Sequence, residues 1–398
     1  MSKLQFPLPP SARPAVLKRR ARIYLHRKHL IPAGAAVLLI AALGLTIGRH
    51  GSAHNAEAAA PPALHANVPA PPAAPAVLQD KIQQLADRYG EKVGIAVMDV
   101  DKGWVAQVNG DDYFPQQSVS KTWVALSVLD AIDRGEMAFQ QPVVMTQADR
   151  SVFFQPVVHR IGKNGFQTDV ADLLHRALTQ SDNAANDMLI RLVGGAEVVM
   201  ATLDRKGLEG LRMDTDEKHL QAKVAGVPWS DDLVKGDRFR YLRSQLPDEV
   251  RDKAMQAYIA DPYDGAQPVA IVQALARLKR GQLLSTANSE WMMETMMANT
   301  TGHSRLRAGA PRDWEIGDKT GTGQDWDGAS VGINDIALMT APDGRTYAVA
   351  VMIQRTKQGL ESRRRFMQAV SRTVVDFWRE EGQSGQTAQA ATPNRRKG

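Results

Sequence analysis

The sequence predicts a mixed α/β fold in which strands from both ends of the folded part share one sheet and helices fill the middle. Three observations point there. Strand-like runs are confined to residues 93–108 and 335–354. Helical periodicity dominates the stretch between them. The ends of compact domains commonly lie close together, so the early and late strands can pair.

The folded part begins near Val77. Apolar Val77, Leu78, Ile82 and Leu85 recur at helical spacing, which predicts a helix over residues 77–88. Residues 93–100 and 104–108 read as strands joined by a turn at Asp101-Lys102-Gly103. Val119, Trp123, Val124, Leu126, Leu129 and Ile132 predict a helix over 119–132. Further helices are expected at 169–178, 184–193, 269–278 and 289–297. Residues 335–339 and 346–354 read as strands around a turn at Pro342-Asp343-Gly344, and 362–378 as a last helix. There is no internal repeat.

The 398 residues are 43% hydrophobic and 23% charged, enough for a sizeable core, and contain no cysteine. Disulfides, thiolate nucleophiles and cysteine-ligated zinc are therefore excluded. The net charge of +6 is a property of the ends. Residues 1–49 hold nine Lys/Arg and no acid, and the last 16 residues hold three more, so residues 50–382 carry −6. A mildly acidic body argues against nucleic-acid binding.

Residues 30–48 form an uncharged run of 19 residues, close to the ~20 that a bilayer core needs, directly after Lys18, Arg19, Arg20, Arg22, Arg27 and Lys28. The expected organisation is a basic cytoplasmic segment (1–28), a transmembrane signal anchor (29–49), an Ala/Pro-rich tether (50–76), one folded domain (77–382) and a disordered tail (383–398). The domain would then face the periplasm from the inner membrane. The rival is a cleaved signal, for which Ala53-His54-Asn55-Ala56 and Ala58-Ala59-Ala60 offer small residues.

Three short blocks carry chemistry: Ser118-Val119-Ser120-Lys121, Ser181-Asp182-Asn183 and Lys319-Thr320-Gly321. Serine is a weak nucleophile that needs a nearby base. Ser118 stands at a helix start, and Lys121, one turn on, lies on the same face. The helix dipole there disfavours a protonated amine, which makes Lys121 a candidate base. Singly, each block has a plain structural reading: an N-cap serine with a surface lysine, a helix cap, a turn. In this order within one domain they supply a nucleophile with its base, a second hydroxyl and amide, and a cationic strand edge.

With these blocks, the chain resembles the penicillin-recognising serine hydrolases and, within them, the class A β-lactamases. The resemblance spans about residues 78–382 and includes Ala184-Ala185-Asn186, Thr300-Thr301-Gly302, Arg307-Ala308-Gly309, Trp314-Glu315-Ile316-Gly317-Asp318 and Asn334-Asp335-Ile336-Ala337. It implies the two-lobed serine β-lactamase/DD-peptidase-like fold, an antiparallel sheet flanked by helices beside an all-helical lobe, with the site between them. By position, Ser118 would be acylated, Lys121 would move its proton, Ser181 would protonate the leaving nitrogen, and Asn183 would hold the side-chain amide of a β-lactam. Lys319 and Thr320 would face its carboxylate, with Gly321 completing the strand edge. The N–H groups of Ser118 and Thr322 would form the oxyanion hole. Arg305 is a candidate second cation. Glu217, within residues 214–221, would activate the deacylating water.

Three departures from the class A pattern concern deacylation. Gln221 stands where an asparagine is usual, Lys218 where a proline is frequent, and residues 222 to about 267 make this region longer by a few tens of residues. A DD-peptidase acting on peptidoglycan stem peptides, or a β-lactam-binding protein that acylates and stalls, are the alternatives. No cofactor or metal is implied, since the nine histidines show no ligand spacing such as His-Glu-x-x-His. The chain is expected to act as a monomer.

Overall fold

The structure, a computed structural model, describes residues 72–390. The 1–28 segment, the 29–49 segment, most of the 50–76 tether and residues 391–398 lie outside the described residues.

Helix α1 (Ala76–Tyr89) stops at Gly90, whose left-handed φ of 74° lets its N–H reach the Ala86 carbonyl. Strands β1 (Val93–Asp99) and β2 (Val105–Val108) form an antiparallel pair. After β3 (Phe114–Pro115) a 3₁₀ turn, Gln117–Ser120, feeds α2 (Lys121–Asp133). A small ladder, β4 (Pro142–Met145) with β5 (Phe166–Asp169), precedes α3 (Val170–His175), α4 (Asn183–Val193) and α5 (Ala196–Arg205). The region longer than the class A pattern folds as the end of α6 (Glu217–Ala225), then α7 (Arg238–Gln245), α8 (Asp248–Ala260) and β6 (Gly265–Ala266). Helices α9 (Pro268–Lys279) and α10 (Thr286–Met297) lead to β7 (Glu315–Thr322), β8 (Asp325–Trp326), β9 (Ala329–Thr340), β10 (Thr346–Thr356) and α11 (Leu360–Ala390).

The main sheet runs β2-β1-β10-β9-β7, with every pairing antiparallel, and Val93 of β1 opposite Ile353 of β10. Strands from the two ends therefore share one sheet, as the sequence predicts. Period-two alternation along β10 divides its side chains between two cores. Tyr347, Val349, Val351 and Ile353 pack with Leu78 and Ile82 of α1 and Met367, Val370 and Val374 of α11. Ala348, Ala350 and Met352 face Val124 of α2, Leu189 of α4 and Ile271 and Leu275 of α9. Helices cover both faces, so these strands read as continuous apolar runs rather than alternating ones.

Differences from the expectation have local causes. Strand β9 starts at Ala329, well before Asp335, because Ser330 and Asn334 pair in the ladder despite their composition. The helix expected over 169–178 is α3 followed by a π turn, Arg176–Gln180, which ends on Ser181. Helix α11 continues to Ala390, so residues 383–390, expected in a disordered tail, continue it.

Candidate active site

The groups expected to acylate sit where the sheet edge meets the start of α2. Gln117, directly before Ser118, has φ 53°, a left-handed conformation that is uncommon for a residue other than glycine. The 3₁₀ turn places Lys121 one turn from Ser118, and its Nζ lies 2.8 Å from Ser118 Oγ. The same Nζ lies 2.8 Å from Glu217 Oε2, and both Lys121 and Glu217 are buried. The Lys121 amine thus bridges the Ser118 hydroxyl and the Glu217 carboxylate, a buried pair held where water is excluded.

Ser181 lies at the end of the π turn with φ 59°, which turns its Oγ to accept from Lys319 Nζ at 3.0 Å. Its neighbours divide the structural duties. Asp182 caps α4, accepting from the Ala185 N–H at 3.0 Å, and burial raises its carboxyl above the usual range. Asn183 donates to the Val152 carbonyl at 2.9 Å and still lines the cavity.

Lys319 and Thr320 lie on β7, an edge strand as the sequence predicts. Burial, then the charge of Lys121, brings the Lys319 ammonium down to about 7 despite Asp318 and Asp335. Thr320 Oγ1 is 2.7 Å from Thr301 Oγ1. Gly321 is required by close approach: a Cβ there would collide with the Gln116 carbonyl, which would push β7 away from the turn that holds Ser118. Arg305 donates to the Gly321 and Asn334 carbonyls at 2.8 and 2.5 Å and to Thr322 Oγ1 at 2.6 Å. It therefore braces β7 from behind and also borders the cavity.

Glu217 opens α6. Asp216 caps that helix by accepting from the His219 N–H, and the Glu217 N–H donates to Asp187 Oδ1 at 2.7 Å. Burial and the charge of Asp216 push the Asp187 carboxyl up to about 8. Gln221, one helical turn on, reaches the Glu217 carboxylate: its Nε2 donates to Oε1 at 2.9 Å. The longer side chain that replaces the usual asparagine is held by two more glutamines. Gln221 Nε2 donates to Gln117 Oε1 at 2.8 Å, and Gln324 Nε2 donates to Gln221 Oε1 at 2.8 Å. Lys218, at the frequent proline position, is an ordinary residue of α6.

The chain of bonds continues into the extra segment. Tyr258 of α8 is wholly buried; its hydroxyl donates to Asp264 Oδ1 at 2.7 Å and accepts from Gln117 Nε2 at 2.5 Å. Asp264 Oδ2 accepts the Gln117 N–H at 2.6 Å, and burial raises the Asp264 carboxyl to about 6. An ionised carboxylate only accepts, so it sets the direction of every bond from Tyr258 through Gln117 and Gln221 to Glu217.

These groups surround a cavity of about 500 Å³, lined in part by Ser118, Ser181, Asn183, Glu217, Gln221 and Thr322, with Lys121 and Lys319 buried behind it. All eleven residues singled out in the sequence meet at this cleft or in its wall. Missed were Gln117, Asp187, Tyr258, Asp264 and Gln324, and the arginines Arg240 and Arg243, which also line it. The i, i+4 spacing of Glu217 and Gln221 was a readable signal; nothing local marks Tyr258, which lies far along the chain from Gln117.

Known proteins carry the same plan. Residues 77–378 match the β-lactamase enzyme family. β-Lactamase CTX-M-8 of Citrobacter amalonaticus is 28% identical over 300 residues, covering 75% of this chain and 88% of that protein. β-Lactamase FAR-1 of Nocardia farcinica (strain IFM 10152) is 29% identical over 291 residues, 73% of this chain and 80% of that one. Among solved structures, an ancestral class A β-lactamase superposes with a TM-score of 0.61 at 29% identity, covering 75% of this chain and 99% of that one. A β-lactamase from Chitinophaga pinensis DSM 2588 gives 0.63 at 25%, covering 76% and 99%. With Ser118, both lysines and a helix-borne glutamate in one cleft, the chain belongs to the β-lactamase enzyme family and, within it, to the class A serine β-lactamases.

Proposed function

We propose that this site opens the β-lactam ring through an acyl-serine intermediate, with Ser118 as nucleophile and Glu217 as the deacylating base. The observation that carries the reading is Lys121 Nζ, 2.8 Å from both Ser118 Oγ and Glu217 Oε2. In acylation Ser118 Oγ bonds to the lactam carbonyl carbon, its proton passes toward the Lys121–Glu217 pair, and the C–N bond breaks. Ser181, accepting from Lys319, hands a proton to the ring nitrogen and is reprotonated with the proton the Lys121–Glu217 pair took up, which leaves Glu217 ionised for the next step. The N–H groups of Ser118 and Thr322 face the developing oxyanion; one such donor typically supplies ~10²–10³ in rate. Protonated Lys319, with Thr320 and Arg305, attracts the substrate carboxylate, while Asn183 takes the side-chain amide. Glu217, oriented by Gln221, then removes a proton from water as it attacks the ester carbonyl, and the proton returns to Ser118 as the acid product leaves. No cofactor enters these steps.

Glu217 is the feature that disfavours the peptidase and stalled-binder alternatives, both of which dispense with a dedicated deacylating base. Release of D-alanine from a stem-peptide mimic without β-lactam turnover would reverse that preference. All groups come from one chain, which supports a monomer; gel filtration with light scattering tests it.

The uncharged 30–48 run behind a basic flank supports a membrane-tethered enzyme facing the periplasm. Among the described residues no helix is long and apolar enough to cross a membrane, so the tether rests on sequence alone. Intact mass of the membrane-fraction protein tests it: full length is expected, and loss of about the first 56 residues would mean a cleaved signal instead.

A further inference from the structure

The extra segment brings charge as well as Tyr258 to the cleft. Helix α7 is anchored by Phe239, which is buried and meets Phe153 edge-on with ring centroids 5.2 Å apart. Burial of its ring holds this short helix in place. Arg240 follows directly and lies over the Phe153 ring at 5.4 Å. Arg243, three residues on and so on the same side of α7, lines the same cavity as Arg240. Its Nη2 donates to the Asp325 carbonyl at 2.6 Å, and its Nε is buried without a hydrogen-bond partner among the described residues.

Neither arginine forms a salt bridge among the described residues. Asp325 draws on Arg243 while its carboxylate also takes the Ser330 hydroxyl, and Asp248 and Asp252 draw on Arg251. Arg251 of α8, stacked 3.4 Å from the Trp326 ring centroid, adds a third positive charge nearby. Against Arg240 and Arg243 the cleft mouth sets one acid, Asp325, which leaves positive charge that no salt bridge takes up among the described residues.

Its position indicates what would. Lys319, Thr320 and Arg305 mark the end that meets the ring carboxylate. Arg240 and Arg243 approach from Phe153 and Asp325 instead. Phe153 lies between Val152 and Phe154, whose carbonyls accept from the Asn183 side chain and N–H, so Arg240 stands beside the residue that takes the acyl amide. A substrate seated with its ring acid on Lys319 therefore points its acyl side chain toward these two arginines. Arginine binds carboxylates through a planar donor fork and keeps its charge when partly desolvated.

We propose that Arg240 and Arg243 form a subsite for a second anionic group, so that the preferred substrates are β-lactams with a carboxylate or sulfonate on the acyl side chain. This rests on the β-lactamase reading above. The test compares kcat/KM for benzylpenicillin and for its analogue bearing a carboxylate on the side-chain α-carbon, using wild type and Arg240→Gln/Arg243→Gln. The ratio of the two values cancels any loss of folded enzyme. The ratio, carboxylated over uncarboxylated, is expected to fall about tenfold or more in the variant. In wild type it should also decline between low and high salt, because an exposed charge contact is screened. Retention by Arg240→Lys/Arg243→Lys of part of the preference would support a charge effect. A ratio unchanged by the glutamine variant overturns the subsite. Failure of wild type to turn over either penicillin would overturn the β-lactamase reading, and the subsite with it.

Discussion

The two halves of the cleft are built in different ways. The half proposed to carry acylation joins Ser118, Lys121, Ser181 and Lys319 through single direct contacts, 2.8 Å from Lys121 to Ser118 and 3.0 Å from Lys319 to Ser181. Each residue stands in a short block whose spacing sets its place: one helical turn, one tight turn, one strand edge. The half proposed to carry deacylation is a relay. Glu217 is held by Gln221, Gln221 by Gln117 and Gln324, and Gln117 by Tyr258 and Asp264. Its furthest members come from the segment that lengthens this chain beyond the class A pattern. The contrast teaches that a longer loop need not disable the step it borders, because it can carry its own buried polar support. Such support has to be complete, since a half-satisfied buried network costs more than an apolar one.

The comparison breaks most visibly at Glu217. Glu217→Gln should leave acylation measurable and lower kcat by about 10²–10⁴, with a persistent adduct on Ser118 in intact mass spectra. An unaffected kcat would remove Glu217 from the mechanism.

Tyr258→Phe sharpens the contrast. It deletes the hydroxyl that orients Gln117 and leaves Asp264 short of a donor, yet touches no substrate. If Tyr258 positions the deacylating half alone, kcat and KM should fall together, by about tenfold, with kcat/KM nearly constant. A variant that is merely less folded would lower kcat with KM unchanged, which steady-state kinetics distinguishes.

The acylating half should show its own pH signature. Lys319, brought down to about 7, keeps its proton below that pH and loses it above. The charge facing the substrate carboxylate is then lost, so kcat/KM should decline on the alkaline side, and Lys319→Arg should flatten that limb because its guanidinium stays charged. The same limb in the arginine variant would assign it elsewhere.

The smallest effect belongs to Asp187 beneath Glu217. Its folded carboxyl is raised to about 8, above the ~3.9 of an unfolded aspartate, so the folded state holds the extra proton between these values. The stability this contributes is present at low pH and is lost as pH rises toward 8. Asp187→Asn lacks that dependence, so its melting temperature should gain on wild type between pH 5 and pH 8; parallel curves would contradict the assignment.

Legibility followed the same division. Strands such as residues 93–99 and 346–356, buried on both faces, announce themselves as apolar runs, and the helices from 119 and 184 by their periodicity. The acylating residues were readable because each needs a neighbour at fixed short spacing. Tyr258 and Gln117 were not, since they are 141 positions apart and meet only through folding. Helix α7 was missed because Arg238–Gln245 buries one residue, Phe239, and shows no apolar stripe. Helix α5, with Val199 and Leu203 buried one turn apart, carried a pattern that could have been read.

The central claim is that the relay from Tyr258 to Glu217 keeps deacylation working. The most direct test mixes the fragment from Val77 onward with a chromogenic cephalosporin and follows colour and intact protein mass together. Many turnovers per enzyme with little adduct are predicted. A single-turnover burst that leaves a lasting adduct on Ser118 would contradict it.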